Sequence, residues 1–182
     1  MGTFKTNGII IGESNMGDYD KMLTMLTPRS SVKYHVLPKE QEDGKSTLLA
    51  GSQLLCFGEY MLYQGTSTYH INSCETIEMF YNLRIDLDKL KYASHITKII
   101  QDVTNENENS YKVLQLFLNT LYTISESNKN MDLIVSIFKL RLMCILGFTP
   151  SIRADVNNVK QKKIFYILAL KIVALNVEYV GN

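Results

Sequence analysis

Short apolar runs alternate with polar, turn-forming segments through the first eighty residues. Because the side chains of a strand alternate between two faces, this pattern predicts β-structure rather than helix. Five strands are predicted, at residues 4–13, 21–27, 32–37, 54–63 and 68–77. Gly17, Pro28 and Gly65 lie in the breaks, where they favour turns. Five short strands joined by turns indicate a small barrel or a sandwich.

Beyond residue 80 the apolar positions repeat with a helical period. Helices are predicted at residues 86–103, 111–125 and 131–146. Asp86 suits the start of the first helix, Ser110 is a candidate cap for the second, and Gly147 suits the end of the third. The fold class predicted is therefore α+β, with strands first and helices afterwards.

A strongly apolar segment follows at residues 164–180, where helix and strand cannot be separated by pattern. Lys171, Asn176 and Glu178 interrupt it, and it is short for a bilayer span. We therefore expect no membrane partner.

Charge is distributed unevenly along the chain, although the formal net charge is only +1. Residues 1–80 contain six basic and nine acidic side chains, whereas residues 81–182 contain 13 basic and nine acidic ones. Because attraction to phosphates requires basic surface, the second half is expected to supply most of it.

Motifs for catalysis are absent from the sequence. It contains no phosphate-binding loop, dinucleotide-binding glycine pattern, HExxH or Gly-x-Ser-x-Gly. The three histidines, at positions 35, 70 and 95, lie in three different predicted elements, so their spacing gives no support for a metal site. The three cysteines are expected to be reduced thiols in or near the core. We expect no enzyme activity, metal or cofactor.

Small barrels of the OB type bind single strands by stacking bases on aromatic rings within a basic groove. Aromatic candidates are Tyr19, Tyr34, Phe57, Tyr60, Tyr63 and Tyr69, with ordinary strand packing as the competing explanation. Basic candidates in the same region are Lys5, Lys21, Arg29, Lys33, Lys39 and Lys45.

Taken in order, several segments of the chain resemble the RecO family over roughly residues 4–152. They are KTNGIII (5–11), GDYDKMLTMLTP (17–28), LLAGSQLLCFGEYMLYQG (48–65), INSCETIEMFYNLRIDLDKLKYASHITKIIQDVT (71–104), LFLNTLYTI (116–124) and IVSIFKLRLMCILGFTP (134–150). The ordered set is specific, whereas no single segment is.

The resemblance implies a five-stranded OB-fold β-barrel at residues 1–80 and a helical domain at residues 81–182. It also implies binding of single- and double-stranded DNA and annealing of complementary strands in the cytoplasm, at the nucleoid. RecR and single-strand-binding protein are the implied partners in loading a recombinase. The DNA-binding residues expected are Lys5, Lys21, Arg29, Lys33, Lys45, Lys139 and Arg141. For the last two, interior ion pairs or helix-surface charges are the alternative.

Three departures from the family pattern qualify this expectation. The segment at residues 38–47 is acidic where the family is usually basic, which puts DNA binding by the barrel in doubt. Val156, Val159, Val177 and Val180 stand where many members have the four cysteines of a zinc ribbon, and valine cannot bind zinc. Residues 156–180 are therefore interpreted as a cysteine-free, zinc-ribbon-like segment.

The third departure is that the chain ends at Asn182, where the family usually continues, so a truncated or altered form is an open interpretation.

Two alternatives to DNA binding stay open. One is a protein-interaction module for RecR or single-strand-binding protein with weakened DNA binding. The other is an enzyme with an unrecognised site.

Overall fold

The computed structural model describes residues 2–16, 20–29, 31–36, 50–65, 69–105, 108–127 and 130–148. The chain divides into two compact units, Met1–Phe138 and Lys139–Asn182. The loop at 38–47, with Lys45, and the zinc-ribbon-like segment at 156–180 lie outside the described residues, so the predictions made for them stay predictions.

One antiparallel sheet contains the five strands of the first unit. They are β1 (Thr3–Met16), β2 (Asp20–Leu26), β3 (Ser31–Val36), β4 (Phe57–Gln64) and β5 (Tyr69–Glu78). Their order in the sheet is β3-β2-β1-β4-β5. The first half of β1 pairs with β4 and its second half with β2.

The sheet is curled, as shown by Cα atoms of its two outermost strands, β3 and β5, which lie within 8 Å of each other. A five-stranded, partly open barrel with this order has the OB-fold arrangement. The predicted α+β class, with an OB-type barrel followed by helices, is therefore confirmed. The division into domains at residue 80 stays a prediction.

The barrel encloses a small apolar core. Along β4 the residues at positions 58, 60 and 62 are buried, in the alternation expected for a half-buried strand. The core cluster consists of Ile10, Leu23, Met25, Tyr60, Leu62 and Ile71. A register shift between Ile10 and Gly12 marks a bulge in β1, and Ile11 beside it is also fully buried.

The segment at residues 50–56 begins with two helical residues, continues through turns and leads into β4; it is called the 50–56 turn below. The strand predicted from Leu54 begins instead at Phe57, because Leu55 adopts a left-handed backbone conformation with φ 62°. The turn is attached to β1, since Leu55 N–H donates to the Ile10 carbonyl at 2.8 Å and Ile10 N–H donates to the Cys56 carbonyl at 3.1 Å.

Two side chains also hold this turn. The Tyr60 hydroxyl lies 2.8 Å from the Gly51 carbonyl and 3.2 Å from that of Cys56. The Arg84 guanidinium donates to the Gln53 side chain and to the Leu54 carbonyl, both at 2.7 Å. The entry to β4 is thus secured from inside the barrel and from the helical part of the unit.

In the described part of the chain, four helices follow the sheet: α1 (Tyr81–Ile85), α2 (Leu87–Val103), α3 (Tyr111–Glu126) and α4 (Met131–Ile145). The five-residue α1 is too short to produce a helical period, so the sequence did not predict it. Asp86 caps α2, because its Oδ1 accepts from the amides of Asp88 and Lys89. Leu87 at the start of α2 is 86% exposed, and the buried residues of this helix begin only at Ala93.

The helix ends show which cap predictions hold. Ser110 does not cap α3 with its side chain; Asn109 Oδ1 accepts from the Tyr111 amide at 3.1 Å instead. Gly147 ends α4 as predicted, with φ 87°. Phe148 N–H donates to the Met143 carbonyl and Gly147 N–H to that of Cys144, which is a Schellman motif.

Contacts along the chain attach the helices to one another and to the sheet. Lys89 Nζ donates to the Ser125 carbonyl at 2.6 Å, at the negative end of α3. The Gln101 side-chain amide donates to the Ile11 carbonyl, which fixes α2 against β1. Within the described part of the chain, none of the helices is long and apolar enough to cross a membrane.

Candidate nucleic-acid interface

Lys5 is the basic candidate whose surroundings are best defined. It lies on β1 opposite Met61, so Glu59 is its diagonal neighbour on the same face of the sheet. Lys5 Nζ donates to Glu59 Oε1 at 2.6 Å, and both side chains are exposed to solvent. The hydrogen bond and the charge of Glu59 raise the pKa of Lys5. Lys5 is therefore charged, but its charge is compensated.

A second carboxylate lies beside this ion pair. Glu75 on β5 is the register partner of Glu59 on β4, and both line a shallow depression of about 230 Å³ together with Lys5. Like charges directly opposite each other on neighbouring strands repel. Lys5 relieves that repulsion, so its ammonium group stabilises the sheet locally and has less attraction left for a phosphate.

The other basic candidates of the barrel belong to the β2–β3 hairpin. Lys21 is paired with Val36 in the backbone register, and Lys33 with Thr24, but their side chains lie outside the described residues. Arg29 is exposed in the connection between the two strands. Lys5 lies on the half of β1 that pairs with β4, whereas β2 pairs with the other half of β1. The structure therefore does not place Lys5 next to the hairpin candidates.

Lys139 and Arg141 lie two residues apart on α4. Residues with this spacing point in different directions around a helix. Lys139 is exposed, whereas Arg141 is half-buried, and burial lowers the pKa of its guanidinium. The pair therefore does not present one continuous basic face.

The aromatic candidates divide into core and surface. Tyr60 is fully buried, and burial raises the pKa of its hydroxyl, so for this candidate the competing explanation, strand packing, is correct. Tyr63 is 37% exposed and its ring lies 6.4 Å from that of His70. Tyr69 forms an edge-to-face contact with Phe4, with ring centroids 5.9 Å apart. Tyr19 and the side chain of Tyr34 lie outside the described residues.

Sequence reasoning missed Phe4 and His70 as members of this aromatic group. Phe4 is 43% exposed and lies opposite Leu62, while His70 lies opposite Tyr63. Neither carries a local motif. Only the pairing of β1 with β4 and of β4 with β5 brings them beside the tyrosines.

The three thiols lie in three different environments. Cys56 is buried, Cys74 is half-buried with a pKa raised by burial, and Cys144 is exposed, contrary to the expectation for a core thiol. Among the residues that the structure describes, no group of three or more histidine, cysteine or acidic side chains could hold a metal ion.

Two family models match the chain almost end to end. "Recombination protein O N terminal" matches residues 1–80, and "Recombination protein O C terminal" matches residues 84–171. The first coincides with the strands and the second begins in α1.

Curated relatives agree with both matches. The chain is 41% identical over 157 residues to the DNA repair protein RecO of Acetivibrio thermocellus, covering 86% of this chain and 62% of the relative. It is 31% identical over 153 residues to the protein of the same name from Alkaliphilus metalliredigens, covering 84% and 62%. For the one from Caldicellulosiruptor bescii the identity is 30% over 148 residues, with coverage of 81% and 60%.

The chain thus spans about three fifths of the length of these relatives. The two family models nevertheless include every described strand and the helices from residue 84 onwards. On this evidence the chain belongs to the RecO, or recombination protein O, family.

Proposed function

We propose that this chain binds DNA in repair and homologous recombination and carries out no covalent reaction of its own. Its ligands in this proposal are single- and double-stranded DNA, and its activity is the annealing of complementary strands. Its partners are RecR and single-strand-binding protein, with which it helps to load a recombinase. The relatives that bear the name DNA repair protein support the assignment.

The observation that carries the proposal is the strand order of the barrel, β3-β2-β1-β4-β5, with the outermost strands curled towards each other. OB-folds bind oligonucleotides through the face of their second and third strands and through the loops after the first and fourth. Here the second and third strands contain Lys21 and Lys33, with Arg29 between them. The presence of three basic residues in the β2–β3 hairpin supports the proposal.

Phosphate contacts in this proposal come from Lys21, Arg29, Lys33 and Lys45, with Lys139 and Arg141 as candidates on the helical side. Lys5 contributes less than the others, because Glu59 compensates its charge. Each lysine or arginine that neutralises a phosphate of a single strand steepens the dependence of log K on log salt by about 0.7.

Fluorescence anisotropy of a labelled single strand and of the matching duplex, titrated with protein over a salt series, tests the proposal. We expect binding of both that weakens steeply with salt. Alanine at Lys21, Arg29, Lys33 and Lys45 together should flatten the salt slope, whereas Lys112→Ala on the exposed surface of α3 is the control. Equal slopes for the quadruple variant and the control would exclude the barrel as the phosphate-binding surface.

A second candidate function is a protein-interaction module for RecR or single-strand-binding protein. It is favoured by the acidic surroundings of Lys5 and by large apolar side chains on α1 and the start of α2. Tyr81, Ile85 and Leu87 are each more than 60% exposed, and such groups of exposed apolar residues often mark protein contacts. A chain with this function would bind RecR in solution and would not be retained on single-stranded DNA at low salt.

A further inference from the structure

Large apolar side chains are exposed on α1 and at the start of α2. In α1, Leu83 is fully buried, whereas Tyr81 and Ile85 are 68% and 66% exposed. Because residues four apart lie next to each other on a helix, Tyr81 and Ile85 form one surface. Leu87, the first residue of α2, is 86% exposed. Tyr81, Ile85 and Leu87 are called the α1 patch below.

Neighbouring polar residues hold the α1 patch in place. Arg84 binds the Gln53 side chain and the Leu54 carbonyl, which attaches α1 to the 50–56 turn. Asn82 Nδ2 donates to Glu126 Oε1 at 3.0 Å, which attaches α1 to the end of α3. A surface that is already fixed in the free protein loses little conformational entropy on binding. Apolar side chains that are both fixed and exposed are typical of a protein contact.

Carboxylates surround the α1 patch. Glu78 Oε1 accepts from the Phe80 amide at 2.6 Å, immediately before Tyr81. Glu126 lies beside α1 through its contact with Asn82. Two more carboxylates flank Leu87 in the chain, those of Asp86 and Asp88. The apolar surface is therefore bordered by four acidic side chains.

The nearest cations are largely engaged with neutral groups. The Arg84 guanidinium donates to one side-chain oxygen and to two backbone carbonyls. Lys89 Nζ donates to the Ser125 carbonyl at 2.6 Å. Lys91 is exposed, but it lies a full turn beyond Leu87 on α2. Negative charge is therefore in excess around the α1 patch.

We propose that the α1 patch docks a basic amphipathic segment of a partner protein, in which apolar residues are flanked by lysine or arginine. The apolar side chains of such a segment cover Tyr81, Ile85 and Leu87, while its cations meet the surrounding carboxylates. A DNA strand or an acidic segment would bring negative charge to the same carboxylates and is disfavoured. The inference does not rest on the proposed DNA binding, because the α1 patch lies outside the residues assigned to phosphate contacts.

Anisotropy titrations of the full chain with two labelled helical peptides test the docking site. Both peptides have the same leucine positions, and their polar positions are all lysine in one and all glutamate in the other. The formal net charge of the chain is only +1, so the molecule as a whole does not attract a lysine peptide. Leu87→Ser removes an apolar contact, and Asp88→Lys reverses one charge.

Each variant has a matched control. Leu133→Ser makes the same apolar change at a leucine of α4 that is 48% exposed. Glu108→Lys makes the same change of charge at an exposed residue between α2 and α3. Thermal unfolding of all four variants monitors the fold.

The wild type should bind the lysine peptide and should bind the glutamate peptide far more weakly. Leu87→Ser should weaken binding of the lysine peptide about tenfold or more. Asp88→Lys should weaken it about two- to tenfold and should strengthen binding of the glutamate peptide. Because this variant should gain affinity for one peptide as it loses affinity for the other, a general loss of structure does not reproduce the result.

Three outcomes would overturn the docking site. The wild type may bind neither peptide, it may bind both equally, or Leu87→Ser and Asp88→Lys may bind the lysine peptide no more weakly than their controls. A labelled single strand titrated against the same wild-type protein keeps the two functions apart. If the strand does not bind at low salt but the lysine peptide does, the DNA-binding proposal fails and the docking site stands.

Discussion

Removing one buried hydroxyl, by Tyr60→Phe, tests how the entry to β4 is held. The Tyr60 side chain is fully buried, and its hydroxyl lies 2.8 Å from the Gly51 carbonyl and 3.2 Å from that of Cys56. The Cys56 carbonyl also accepts from Ile10 N–H. The Gly51 carbonyl is thus the group most affected when the hydroxyl is lost.

The expected loss of stability is about 2 kcal/mol, which combines a lost hydrogen bond with a buried carbonyl left without that donor. In a chain of this size, that corresponds to a fall of roughly 4–8 °C in the unfolding midpoint. The ring itself is retained, so no cavity larger than one oxygen atom forms. Urea unfolding followed by circular dichroism measures the change.

Tyr122→Phe is the matched control, because Tyr122 is 51% exposed on α3. It should change the free energy of unfolding by less than about 0.5 kcal/mol. If Tyr60→Phe is no more destabilising than this control, the hydroxyl does not hold the turn, and the account of the β4 entry is incorrect.

Three further predictions concern charge, the turn and the thiols. Glu59→Gln should release Lys5 from its ion pair, so that DNA affinity at low salt rises and the slope of log K against log salt steepens by up to about 0.7. The control Glu108→Gln makes the same change of charge outside the barrel and should change neither quantity. Anisotropy titrations measure both the affinity and the slope. Arg84→Lys should lower the free energy of unfolding by about 1–2 kcal/mol, because lysine cannot reproduce the two guanidinium hydrogen bonds to the 50–56 turn. In urea unfolding, the midpoint should fall while the slope of free energy against urea concentration, the m-value, stays the same. In the native protein the exposed Cys144 should react with a maleimide much faster than Cys74, whose pKa is raised by burial. Mass spectrometry of labelled peptides over time measures the two rates. Equal rates would contradict the conclusion that burial protects Cys74. Because the pKa of the Cys74 thiol is higher in the folded than in the unfolded chain, its contribution to stability is complete below about pH 8.5 and declines as the pH rises further.

The sequence by itself determined the class of the fold and the order of its elements. Alternation with period 2 located the strands, and the helical period after residue 80 located α2, α3 and α4, because each pattern reports which positions of an element face the core. The end of α4 was readable from Gly147, since glycine adopts a positive φ readily. The family resemblance rested on the same local segments.

Tertiary structure alone decided which candidate residues are available to a ligand. Tyr60 and Tyr63 are three residues apart in one strand, yet the first is buried and the second exposed, because the pleat turns them to opposite faces and only one face meets the core. Lys5 and Glu59 are 54 residues apart, and only the pairing of β1 with β4 joins their charges. Local patterns specify each strand's two faces, but contacts between strands depend on register, which the whole sheet sets through burial of its core side.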